Sequence, residues 1–150
     1  MSKISVIGAG SVGATIANDL MIQGTASEIV LVDINKQKAF GEALDIYQGA
    51  PFCSPAIVRS GDYAATAGSD IVVITSGMPR KAGQSRLDLA QANVNIIKDI
   101  APQVVKAAPN AKYVIVSNPV DVLTYVFHKV SGLPENQIIG SGTILDTSRL

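Results

Sequence analysis

Three glycines and one acid raise the first chemical question. Gly8, Gly10 and Gly13 stand at G-x-G-x-x-G spacing directly after the apolar run Ile4 to Ile7. Asp33 closes a second apolar run, Ile29 to Val32. The turn at Gly8 tolerates no side chain, Gly10 lets a diphosphate approach the backbone, and Gly13 lets the next helix sit against the strand. Ser11 and Val12 fall where that helix begins, so its free N–H groups and positive dipole end point at the diphosphate. An acid about 20 residues past such glycines accepts hydrogen bonds from a ribose diol. Asp33 would also repel a 2′-phosphate, and Ile34 rather than an arginine follows it. The pattern therefore points to NAD and away from NADP.

A second group of residues could act on a small substrate. Thr75-Ser76-Gly77 follows the apolar run Ile71 to Ile74 and offers backbone groups at a strand end. Arg80, Lys81 and Arg86 lie on or beside the stretch Met78 to Ser85, which reads as a loop around Gly83. They face either solvent or an anion. Asn118, just before Pro119, ends another apolar run, where an amide can hydrogen-bond a carbonyl or a hydroxyl. Asp146 and Arg149 are three apart and would share a helical face. Taken singly, Arg86, Asp146 and Arg149 read as ordinary surface charges; their common place beyond strand ends draws them into one candidate site.

The elements that must hold these residues alternate along the chain. Apolar residues at Val12, Ile16 and Leu20 predict a helix after the glycines. Ala39, Ala43, Leu44 and Tyr47 predict another over 36–48, ended by Gly49-Ala50-Pro51. Ile57-Val58 reads as a short third strand and the fully apolar Ile71 to Ile74 as a central one. A long helix is expected from Leu87 to about Ala108, kinked or split at Pro102. Val114 to Val116 predicts a strand, Val120 to Val130 a helix and Gln137 to Gly140 a last strand, with Thr143 opening a further element. Strand and helix in alternation predict an α/β fold: a doubly wound parallel sheet of the Rossmann type, order 3-2-1-4-5-6, helices on both faces. Its crevice lies between the first and fourth strands, and residues 1–150 form one dinucleotide-binding domain.

Composition narrows the class. The chain has 150 residues, 47% hydrophobic and 16% charged, which suits a globular core. Lys plus Arg and Asp plus Glu number 12 each, so no basic excess suggests nucleic acid or an anionic membrane. No apolar run reaches the ~18 residues of a membrane span. No leader peptide is expected, and a lone Cys53, read as a loop or core thiol, fits a cytoplasmic setting.

The segments GAGSVG (8–13) with Asp33, TSGMPRKAGQSRLDL (75–89), VSNPVD (116–121) and GSGTILDTSR (140–149) together resemble the NAD-dependent lactate/malate dehydrogenases. The likeness runs over essentially the whole chain, in order. It implies reversible hydride transfer between NAD and an L-2-hydroxy acid, with a small 2-hydroxy or 2-oxo acid as partner and a homo-oligomer, dimer or tetramer, as the working form. It makes Arg86 the loop cation that polarises the substrate carbonyl. Arg149 becomes the two-pronged holder of the substrate carboxylate, a task guanidinium geometry suits. Asn118 becomes the amide on the reacting oxygen, and Asp146 the acid that orients a catalytic histidine. Val12, Ile34, Lys38, Tyr63, Met78 and Val116 fall at the family's cofactor-contact positions. The family's catalytic histidine lies beyond Arg149, whereas the one histidine here, His128, matches no such site and reads as a surface helix residue. The resemblance thus implies the amino-terminal, cofactor-binding half of a chain about twice as long, inactive alone and exposing apolar surface.

Substrate preference is divided. Counting back from Arg86, Arg80 occupies the position that carries Gln in lactate enzymes and Arg in malate enzymes, and a cation there suits a second carboxylate. GQSRLDL (83–89), YVFHKVSGLP (125–134) and GSGTILDTSR look more like lactate dehydrogenases. Lactate dehydrogenase is the favoured reading, malate dehydrogenase the alternative. A non-catalytic NAD sensor also fits the glycines, but has no use for the Arg149 carboxylate clamp.

Overall fold

The computed structural model describes residues 2–79 and 83–149, without the side chains of 145 and 146. Among these, six strands form one parallel sheet: β1 (Lys3–Ile7), β2 (Glu28–Val32), β3 (Ile57–Gly61), β4 (Ile71–Ile74), β5 (Lys112–Ile115) and β6 (Ile138–Gly140). Their order is β3-β2-β1-β4-β5-β6, as expected. The helices are α1 (Ser11–Ile22), α2 (Lys36–Gln48), α3 (Arg86–Ala107), α4 (Val120–Ser131) and α5 (Gly142–Thr147).

The period of two along each strand explains why the central strand runs are apolar at nearly every position. Ile7, Val30, Val32, Val72, Ile74, Tyr113 and Ile115 face one way and pack with Ile97 and Val104 of α3 and Leu123 and Phe127 of α4. Ile4, Val6, Ile29, Leu31, Val58 and Val73 face the other way, against Ala17 and Met21 of α1 and Ala39, Ala43 and Ile46 of α2. A strand buried on both faces has no polar side to show. Tyr113 is fully buried yet polar at its tip: its hydroxyl donates to the carbonyls of Val104 (3.1 Å) and Ala108 (2.8 Å), closing the end of α3. Burial pushes this phenol up to about 12.

Three local expectations need correction. α3 is one helix from Arg86 to Ala107, so of the kink or split expected at Pro102 the split does not occur. The proline removes one backbone donor, but Pro102 and Lys98, whose carbonyl loses that donor, both lie on the exposed side, where water can take its place. β5 begins at Lys112 and ends at Ile115, so Val116 lies just past it; its N–H still donates to the Ile74 carbonyl at 3.0 Å. α5 ends at Thr147, which leaves Arg149 beyond the helix. Val122, Tyr125, Ile139 and Ile144, on α4, β6 and α5, are among the exposed apolar residues.

Candidate dinucleotide site

The register aligns Ile7 with Val32 on one side and Ile74 on the other, and Ile74 with Ile115. The residues that follow these strands therefore emerge at one edge of the sheet. There a cleft of about 1300 Å³ runs over the ends of β2, β1, β4 and β5, roughly 14 Å at ~4.8 Å per strand spacing.

The glycine turn is built by close approach. Gly8 has φ +108°, and a Cβ there would lie 2.8 Å from Thr75 Oγ1 and 2.9 Å from the Ser76 nitrogen. A Cβ on Gly13 would lie 1.9 Å from the Gly8 carbonyl oxygen, so α1 sits directly on the turn. A Cβ on Gly10 would meet nothing within 4 Å. Gly10 is the N-cap of α1 and supplies no side-chain cap, so the first N–H groups of the helix open onto the cleft. Open space at Gly10 beside uncapped donors is what a diphosphate requires.

Asp33 stands across from these donors. Its Oδ2 accepts the Ala9 N–H at 2.7 Å and its Oδ1 accepts the Asn35 N–H at 2.8 Å. The carboxylate thus pins the glycine turn to the end of β2, and each oxygen retains a lone pair for a ribose hydroxyl. Beside it Ile34 is fully exposed within the cleft wall. Tyr63 also lines the wall; burial pushes its phenol up, helped by the negative charges of Asp33 and Asp99. The opposite wall is pinned by hydroxyls. Thr75 Oγ1 donates to the carbonyls of Gly8 (3.0 Å) and Ile7 (3.2 Å), and Ser117 Oγ to those of Ser76 (2.7 Å) and Ile74 (3.2 Å).

The structure brings every residue named above for the cofactor to this one cleft: the three glycines with Ser11 and Val12, then Asp33, Ile34, Lys38 and Tyr63, then Thr75 to Met78, Val116 and Asn118. The substrate set does not assemble in the same way. Arg86 is exposed at the first turn of α3, whose N-cap Ser85 forms a capping box with Asp88, and it does not line the cleft. Arg149 is exposed near the end of the chain. Arg80 and the side chain of Asp146 lie outside the described residues. His128 lies on α4, as expected, and is partly exposed, its Nδ1 donating to the Leu133 carbonyl at 3.1 Å past the end of the helix.

Sequence reasoning missed the wall that α3 contributes: Leu89, Asn93, Ile96, Asp99, Ile100 and Gln103. The signal was present in Asn93, a polar residue one turn ahead of Ile97 on the stripe that faces the core. Among the described residues no cluster of His, Cys, Asp and Glu could hold a metal ion, and no helix is long and apolar enough to cross a membrane.

Residues 2–140 match the family model described as "lactate/malate dehydrogenase, NAD binding domain". An L-lactate dehydrogenase of Clostridium botulinum (strain Hall) is 60% identical over 149 residues, which cover 99% of this chain and 47% of that protein. A minor L-lactate dehydrogenase of Enterococcus mundtii superposes with a TM-score of 0.94 at 40% identity, over 99% of this chain and 48% of the other. A malate dehydrogenase of Archaeoglobus fulgidus, solved in complex with NADH, superposes with a TM-score of 0.85 at 45% identity, over 90% of this chain and 47% of the other. The chain spans about half the length of the curated relatives it matches.

Proposed function

Because this chain belongs to the lactate/malate dehydrogenase family, matched through its NAD-binding domain, we propose that it is the cofactor-binding half of an NAD-dependent L-lactate dehydrogenase. The observation that carries the reading is the cleft that joins the Gly10 opening and Asp33 to Asn118 across four strand ends. The N–H groups at the start of α1 hold the diphosphate. Asp33 accepts from the ribose diol, and Ile34 and Tyr63 flank that end of the cleft. Asn118 orients the reacting oxygen at the far end. When bound, NAD supplies the hydride acceptor, and in its reduced form the hydride donor.

The remaining steps belong to the substrate residues. Arg86 polarises the substrate carbonyl. Arg149 binds the substrate carboxylate with both guanidinium prongs. Asp146 steadies the charged form of a histidine that the family places outside these 150 residues. The working form is a homo-oligomer in the cytoplasm.

Relatives about 60% identical that are named L-lactate dehydrogenase support lactate over malate. Arg80 favours the malate alternative through its charge alone. The deciding experiment measures NADH oxidation by the full-length protein with pyruvate and with oxaloacetate. Pyruvate is expected to win by about tenfold or more in kcat/KM, a difference of about 1.4 kcal/mol. Preference for oxaloacetate overturns the lactate assignment. The 150-residue chain alone is expected to show no useful turnover with either substrate, and robust activity there overturns the half-site reading.

A further inference from the structure

Asn93 has no part in the chemistry above, yet it is placed with unusual economy. It is 2% exposed, on the face of α3 where Ile97, Ile100, Ala101 and Val104 are buried. A buried amide keeps such a place only if its donors and acceptor are matched. Here they are matched to two different loops. Oδ1 accepts the Met78 N–H at 2.8 Å. Nδ2 donates to the Asn118 carbonyl at 2.8 Å and to the Met78 carbonyl at 3.5 Å. Met78 opens the segment that runs from β4 towards Arg86; Asn118 follows β5.

We propose that Asn93 is a positioning residue, a strap that holds the segment after β4 against the turn after β5 and so sets the distance between the Arg86 arm and the Asn118 amide. The chemistry requires an amide. An aspartate would still accept from Met78 but would set its charge against the Asn118 carbonyl. An apolar residue would leave the Met78 N–H and the Asn118 carbonyl without this partner. The inference rests on the reading of Arg86 and Asn118 as substrate residues.

The test compares the full-length protein with its N93D and N93S variants by three readouts: steady-state kinetics with pyruvate, NADH affinity by titration, and amide hydrogen exchange of the segment containing Met78. The strap predicts kcat at least 20-fold lower, a loss of NADH affinity several-fold smaller than the loss of kcat, and at least tenfold faster exchange at Met78. N93S, the milder change, keeps the test open if N93D does not fold. Kinetics within twofold of the parent in a folded variant overturn the strap. So does a loss of NADH affinity in proportion to kcat, which would make Asn93 only part of the cofactor wall. If the parent turns over no 2-oxo acid, the proposed function fails on its own account. Met78 exchange then still judges the bracing itself, and unchanged exchange in the variants overturns it.

Discussion

The two ends of the parallel sheet treat their polar groups in opposite ways. Where the strands begin, charges satisfy one another. Arg59 grips Glu28 Oε1 through Nε (3.0 Å) and Nη2 (2.8 Å), and Lys3 Nζ stands 3.4 Å from the same oxygen while donating to the Ala67 carbonyl. The Lys3 N–H donates to Asp70, and Ser5 shares a buried hydrogen bond with Ser69. Where the strands end, side chains brace the backbone but leave its donors open at α1, because Gly10 offers no cap. One end is closed upon itself; the other is held rigid and left open. Binding capacity thus resides where a stable fold withholds its own hydrogen-bond partners from a few donors, at the switch between strands running left and right from β1 and β4.

The sharpest way to break this contrast is through the glycines. Gly13→Ala forces a methyl into the Gly8 carbonyl and should cost about 3 kcal/mol, lowering Tm by about 10 °C in a thermal melt. A Tm unchanged within about 2 °C would show that the turn is not closely packed. Gly10→Ala meets no protein atom. It should leave stability within about 1 kcal/mol while weakening NADH at least about tenfold in calorimetric titration. Equal NADH binding would mean that the open space at Gly10 is not where the diphosphate lies.

Asp33→Asn comes next, since Asp33 belongs to both halves of the comparison: it braces the Ala9 turn and faces the cleft. The variant should weaken NADH by about tenfold and narrow the gap to NADPH, at a stability cost of about 1 kcal/mol. A variant that keeps the full preference for NADH would move the discrimination elsewhere in the cleft.

The smallest effect belongs to the closed end. Burial works against the Glu28 charge, but the Arg59 hydrogen bond and the Lys3 and Arg59 charges outweigh it, and the carboxyl is held below its ordinary 4.5. A lowered folded pKa means a stabilising contribution present above the ordinary value and lost as pH falls through the depressed one. Glu28→Gln should therefore cost no more than about 1 kcal/mol at pH 7. That difference should vanish in denaturation curves run well below pH 4.5, with NADH affinity unchanged throughout. A change in NADH affinity would mean that the two ends are coupled.

Much of this molecule was written locally. Glycine spacing, four-residue apolar runs and Asp33 at a strand end depend on neighbours in the chain, so they specify strand, turn and helix, and through parallel pairing the order of the sheet. That α3 runs on through Pro102 instead of splitting there depends on which side of the helix faces water, a property of packing. α5 ends at Thr147, before Arg149, and spacing alone does not fix where a short helix ends.

What only the tertiary structure decided is which distant atoms meet. Asp33 reaches back to Ala9, Thr75 to the Gly8 turn, and Asn93 to both Met78 and Asn118. None of these partners is signalled by sequence spacing, because each depends on strand register and on how α3 is rotated against the sheet. By itself the sequence determined the kind of site and its cofactor, since those follow from turn chemistry and charge. The braces that hold the site open came from burial, where an amide or hydroxyl removed from water must find whatever partner the fold brings within reach.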